Sequence, residues 1–185
     1  MNLLKTRFAI DDLILEMTRT PPQQLRLSHL YDWVSQLDLK DDLFQQHLCF
    51  CSQGYQRRLL CRTSRFEMLI LCWQPGQSST IHDHADSLNV TRVYQGILTS
   101  RTFQQSCGTG RCRFQQVSEK QLHRNELATV DRHEIHQLAN LSDHNLVTLH
   151  VYARPLQTIQ VYCPQSGAVE QVPVRFALDQ EFAER

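Results

Sequence analysis

Two histidines separated by a single residue, His82 and His84, close the stretch Gly76-Gln-Ser-Ser-Thr-Ile-His82-Asp-His84. In extended chain, residues two apart leave the same face, so both imidazoles can be presented to one metal ion. A third donor has to come from elsewhere. Ile135-His136-Gln-Leu-Ala-Asn140 offers a histidine set among apolar residues much later in the chain. A competing set is also legible: Asp86 continues the alternation from His84, so His84, Asp86 and His136 would make a two-histidine, one-carboxylate triad. His-x-His is common in polar surface turns, so the pair takes its meaning from the elements that carry it.

Those elements change character along the chain. From Phe8 to Thr18, Ile10, Leu13, Ile14 and Met17 fall at helical spacing. Pro21-Pro22 then opens a second segment in which Leu25, Leu27, Leu30, Trp33 and Leu37 recur in the same way. From about Phe66 the texture becomes short runs of Val, Ile, Leu, Thr and aromatics between Gly, Pro, Asn and Asp turns. Strands are expected at residues 67–73, 89–94, 98–104, 111–117, 126–130, 147–153 and 158–163. Their number and spacing predict a mainly β fold, a sandwich or jelly-roll barrel, with the helices packed outside it. One domain spans residues 1–185, with a helical part at 1–48, a β-barrel at 49–178 and a polar tail after Phe176 that is expected to fray.

Composition narrows the partners. Lys plus Arg and Asp plus Glu stand at 19 each, so no net field favours a nucleic acid or an anionic membrane. A small molecule is the better expectation. The opening MNLLKTRFAIDD has no long apolar run and no later stretch is long enough to span a bilayer, which leads us to expect a cytoplasmic monomer. Seven cysteines, at 49, 51, 61, 72, 107, 112 and 163, show no repeating framework and read as free thiols in packing or surface positions.

The spacing from Gly76 to His82 and His84, with Gly96 beyond, resembles the first cupin motif, and His136-x-x-x-Asn140 resembles the end of the second. Two departures stand out: Asn89 occupies the usual glutamate position, and Asp131-Arg132-His133 replaces the Pro-x-Gly before the last histidine. An amide oxygen replaces a carboxylate ligand poorly, so the donor set becomes three neutral imidazoles. Such a set leaves a divalent ion its full charge and open positions, which suits a substrate bringing its own anionic donor, such as a thiolate. Zinc fits three histidines as well.

From about Tyr55 to Pro155 the chain further resembles the cysteine dioxygenase family. Phe66-Glu-Met-Leu-Ile-Leu-Cys-Trp73, Ile81-His-Asp-His84-Ala-Asp-Ser87 and Tyr94-Gln-Gly96 carry the likeness, and Thr148-Leu-His150-Val-Tyr152 resembles that family's Ser-His-Tyr relay with threonine in the serine position. The resemblance implies Fe(II) held by His82, His84 and His136, with Tyr152 over the metal and His150 and Thr148 orienting it. It also implies that Tyr55-Gln56-Arg57 supplies the partner of a substrate carboxylate, although a one-residue slip leaves Arg58 open. Arginine suits that task through its planar fork. The reaction implied is oxidation of the cysteine thiol by O2 to a sulfinate. Another small thiol such as 3-mercaptopropionate, a non-catalytic metal-binding cupin and a zinc or manganese isomerase are the alternatives. In animal members a cysteine is tied covalently to the phenol, whereas the matching residue here is Asn89, so no crosslink is expected. Ala153-Arg154-Pro155 stands where animal members have Ser-Pro-Pro, and the cation it adds has no assigned role.

Overall fold

A computed structural model describes residues 8–39, 41–108 and 112–174. The chain opens with three helices, α1 Ile10–Arg19, α2 Leu27–Gln36 and α3 Asp41–Gln45. Helix α1 starts where the Asp12 carboxylate accepts from the Ala9 amide at 2.8 Å, and its buried residues, Leu13 and Met17, lie one turn apart. The short α3 leaves no mark in the apolar periodicity. Eleven strands follow among the described residues: β1 Gln56–Arg62, β2 Glu67–Trp73, β3 Ile81–Asp83, β4 Leu88–Gln95, β5 Leu98–Cys107, β6 Cys112–Leu122, β7 Leu127–Val130, β8 Ile135–Ala139, β9 Leu146–Ala153, β10 Thr158–Tyr162 and β11 Val169–Pro173.

The strands form two antiparallel sheets, β1-β2-β9-β4-β7 and β11-β10-β3-β8-β5-β6. They face each other as a jelly roll rather than closing into one continuous barrel. The helices cover the outer face of the first sheet. There Leu13, Leu30, Val34 and Phe44 pack against Met68, Ile70, Val90 and Leu149, while the inner face carries Leu69, Leu71, Trp73, Val93 and Tyr152. Arg92 pins α2 to the sheet by donating to the Val34 and Leu37 carbonyls at 3.0 and 2.7 Å, which satisfies orphan acceptors at the helix end. Because both faces of the first sheet are covered, β2 and β9 are buried along their whole length and read as continuous apolar runs.

The turn after β4 requires glycine: Gly96 has φ of 86°, and a Cβ there would lie 2.7 Å from the Asn145 carbonyl oxygen. Two expectations need correction. The strand placed at 111–117 runs from Cys112 to Leu122, and its expected first residue, Arg111, lies outside the described residues. The reading of all seven cysteines as free thiols fails at Cys107 and Cys112, which form a disulfide because the β5–β6 register places them directly opposite at the hairpin end. Cys49, Cys51, Cys61, Cys72 and Cys163 are free. The expected frayed tail after Phe176 lies outside the described residues.

Candidate metal centre

Strand β3 is only three residues long, yet it is held from both sides, with His82 opposite Val161 on β10 and opposite His136 on β8. Directly opposed residues in adjacent strands bring their Cβ atoms within about 5 Å, so this single pairing delivers two of the three rings to one place. His84 follows two residues on, where the chain turns at Ala85 with φ of 48°. That turn is tied to the one before β8, since the His133 amide donates to the Ala85 carbonyl at 3.0 Å. Gly76 and Asn140 bracket the same region: the Gly76 amide donates to the Asn140 carbonyl, the Asn140 amide returns to Gln77, and the Asn140 side chain reaches the Trp73 and His144 carbonyls.

All three histidines are buried, and one ligand nitrogen from each lies within 4.8 Å of the others. Hydrogen bonds of two of them fix which nitrogen is bare. His82 Nδ1 faces the Thr80 carbonyl at 2.8 Å and His136 Nδ1 faces the Glu134 carbonyl at 3.2 Å. A carbonyl can only accept, so both Nδ1 atoms carry the hydrogen and both Nε2 atoms present lone pairs. His82 Nε2 lies 3.2 Å from His84 Nε2, and His136 Nε2 is buried without a hydrogen bond. Converging lone pairs in a dry interior are unfavourable unless a cation sits among them, and a tautomer set by backbone carbonyls is the usual arrangement for metal-bound imidazole. The donor set therefore fits a divalent metal. Asp86 does not join it: its carboxylate is 70% exposed and faces His133 at 3.4 Å, so the two-histidine, one-carboxylate alternative is not assembled.

Beside the three rings lies a buried polar cluster. Thr148, His150 and Tyr152 alternate along β9, and their side chains share the inner face. Tyr152 meets His84 edge to face with ring centroids 5.0 Å apart. Its phenol is 3.3 Å from His150 Nδ1, and Thr148 Oγ1 is 2.8 Å from His150 Nε2. The β1–β2 register settles the direction of the two arginines. Arg57 pairs with Leu71, an inner-face residue, whereas Arg58 pairs with Ile70, which faces the helices. Arg57 hydrogen-bonds the Tyr152 phenol, and its positive charge acts on His82, His84 and His150. Tyr55 stacks on Trp73 with centroids 4.0 Å apart and lies near enough to Tyr152 to influence its ionisation.

Similarity to known proteins bears on this arrangement. The family model described as Cysteine dioxygenase type I matches residues 37–165. The chain belongs to that family. Cysteine dioxygenase type 1 of Rattus norvegicus and that of Homo sapiens are each 30% identical over 130 residues, 69% of this chain. The match spans 64% of the length of either relative. Among solved structures, TT1209 from Thermus thermophilus aligns with a TM-score of 0.51 at 18% identity, over 64% of this chain and 98% of that one, and supports a shared fold. A cupin superfamily protein from Desulfitobacterium hafniense DCB-2 aligns at 14% identity with a TM-score of 0.47, over 60% and 86% of the two chains.

Burial governs protonation in this cysteine dioxygenase family member. Desolvation first, with Arg57 adding to it, pushes His82 down to about 4. Burial likewise holds His84, His136 and His150 well below the usual imidazole range, and it raises Tyr152 to about 12. At neutral pH the rings are neutral ligands and the phenol keeps its proton. An imidazole whose folded pKa lies below its unfolded value is protonated only in the unfolded chain between those two pH values. The metal-free protein is therefore expected to keep its stability above about pH 6.5 and to lose it as the pH falls towards 4, with His82 alone costing about 3 kcal/mol at the acid end. Urea midpoints measured across that window check this, and midpoints that do not move would rule it out.

Several residues around the site carry no signal in the sequence. Glu67 is fully buried opposite Tyr152, where its carboxylate accepts from the Leu156 amide at 3.1 Å and pairs with Arg62 at 3.0 Å. Tyr162 donates to Asp83 at 2.6 Å and fastens the residue between the two histidines to β10. Thr91, on the inner face of β4, reaches His150 directly, and through Thr91 the relay is joined to Asn89.

Proposed function

We propose that this protein is an iron-dependent thiol dioxygenase acting on L-cysteine. The observation that carries the reading is the convergence of three buried imidazoles beside the half-buried Arg57, in a chain of the cysteine dioxygenase family. His82, His84 and His136 would hold Fe(II), which when bound supplies the oxygen chemistry and the open positions for the substrate's sulfur and amine. Both atoms of O2 end on sulfur, which gives up four electrons as O2 takes four, so no external reductant is consumed.

The protein's own part is to place and hold. Arg57 anchors the carboxylate of cysteine through a bidentate, charge-assisted pair, which fixes where the thiol arrives. Tyr55 buttresses that side of the pocket through its stack on Trp73. Tyr152, kept protonated by burial, offers a hydrogen bond at the reacting face, and His150 and Thr148 hold it in place.

The test is oxygen uptake by the Fe(II)-loaded protein on addition of L-cysteine, with sulfinate counted by mass spectrometry. One O2 consumed per thiol lost supports the reading, and a carboxylate thiol lacking the amine, 3-mercaptopropionate, tests which substrate is preferred. No uptake with any thiol would leave a metal-binding protein of another kind. A second measurement concerns the phenol. Asn89 stands directly opposite Tyr152 in the β4–β9 register, and it has no sulfur to offer. The intact mass is expected to show no thioether at Tyr152; peptide mapping that found a two-hydrogen deficit in a Tyr152 peptide would overturn this.

A further inference from the structure

The geometry points to Thr91 and Asn89 as positioning residues that lock His150 in one tautomer and thereby leave the Tyr152 proton directed at the metal site. The inference rests on the proposed role of Tyr152. Its basis is a chain of buried hydrogen bonds whose donors can be assigned one after another.

The assignment begins at Asn89. Its Nδ2 lies 3.2 Å from the Val151 carbonyl oxygen, which can only accept, so the amide nitrogen must point there and Oδ1 must point the other way. Oδ1 lies 3.0 Å from Thr91 Oγ1, and because an amide oxygen only accepts, the threonine hydroxyl donates its single proton to Asn89. Thr91 Oγ1 also lies 3.0 Å from His150 Nδ1. With its proton already committed, the hydroxyl can only accept there, so His150 Nδ1 carries the hydrogen. Burial keeps His150 neutral, which leaves Nε2 as an acceptor. Thr148 then donates to Nε2 at 2.8 Å and itself accepts from Trp73 Nε1 at 3.1 Å. Every donor in the run has one acceptor, and no group has to be reoriented to close it.

The consequence falls on Tyr152. Its phenol oxygen lies 3.3 Å from a nitrogen that bears a hydrogen, and it also receives a hydrogen bond from Arg57. The Arg57 contact uses the oxygen as an acceptor, and the Nδ1 hydrogen, already committed to Thr91, leaves no lone pair there for the phenol to donate to. The phenolic proton therefore has no use on the His150 side and is left for the side where the ring abuts His84. Without Thr91 the opposite tautomer becomes available: His150 Nε2–H can donate to Thr148, and bare Nδ1 can draw the Tyr152 proton away from the reacting face. Asn89 thus has a task at a position where the animal enzymes of the family place a cysteine.

The test compares Thr91→Val, which keeps the shape and removes the hydroxyl, with Thr91→Ser, which keeps the hydroxyl. Long-range 1H–15N correlation on the metal-free parent protein should show His150 as the Nδ1–H tautomer, and Thr91→Val should move it towards Nε2–H or a mixture. In the iron-loaded protein Thr91→Val should lower kcat for L-cysteine about tenfold, the effect of one positioned hydrogen bond, with KM and iron content little changed. Thr91→Ser should restore kcat to within about twofold. An Nε2–H parent, an unaltered tautomer in Thr91→Val, or equal impairment of the Val and Ser variants would overturn the proposal. If no thiol is oxidised by the parent, the function proposed above fails, and the tautomer measurement decides the locking by itself.

Discussion

His136→Ala is expected to strip the centre of its metal and to abolish oxygen uptake. Loss of an outer partner of a metal-bound imidazole typically costs about 10- to 100-fold in affinity, and loss of the imidazole itself should exceed that. His136 reaches the site from β8, far along the chain from His82, through the single register pair that joins β3 to β8. His82→Ala and His84→Ala should behave alike if the three rings act as one ligand set. His133→Ala and Asp86→Asn are the controls: both residues lie at the same turns, face each other across 3.4 Å and are well exposed. They should keep the parent metal content within about twofold, the small effect expected of exposed pairs. Metal analysis beside circular dichroism separates loss of ligand from loss of fold. A folded His136→Ala protein that kept its full complement of metal would remove the foundation of the proposed function, and retention by His82→Ala together with loss in Asp86→Asn would restore the carboxylate triad.

The parts of this architecture that can be read from sequence are those where one physical signal dominates. Strand β2 is legible at its observed bounds because a strand buried on both faces must be apolar throughout, and Glu67 to Trp73 nearly is. Helices α1 and α2 show themselves by their leucine and isoleucine spacing. Strands β3 and β8 are different. One has three residues and the other five, they are polar at the histidines, and what holds them is pairing with chain far away in sequence. Local propensity carries no record of such partners. The paired imidazoles are visible through their alternation, but the role of Thr91 is not, because the helices cover the outer face of β4 and its polar and apolar residues are buried alike. Nothing in the order of cysteines marks 107 and 112 as a pair either; the hairpin register does that.

Arg57→Ala tests whether the substrate is anchored by a carboxylate, and its expected loss in kcat/KM for L-cysteine is about ten- to a hundredfold, from charge-assisted bonds of about 1.5 to 3 kcal/mol. Iron content should stay near the parent value, because a guanidinium is no metal ligand and its charge, if anything, opposes a cation among His82 and His84. Arg58→Ala is the internal control. It sits one residue on, opposite Ile70, on the face turned to the helices, and it should leave the kinetics unaltered. The contact between Arg57 and Tyr152 complicates a simple reading, since removing the guanidinium also frees the phenol oxygen. Cysteamine resolves this. It lacks the carboxylate, so its turnover should be poor with the parent, and any change on removing Arg57 reports the effect transmitted through Tyr152 alone. A large KM increase confined to L-cysteine identifies the carboxylate anchor. An equal fall with both thiols assigns Arg57 to the phenol instead, and unchanged kinetics with L-cysteine would mean that the substrate is not held by its carboxylate at all.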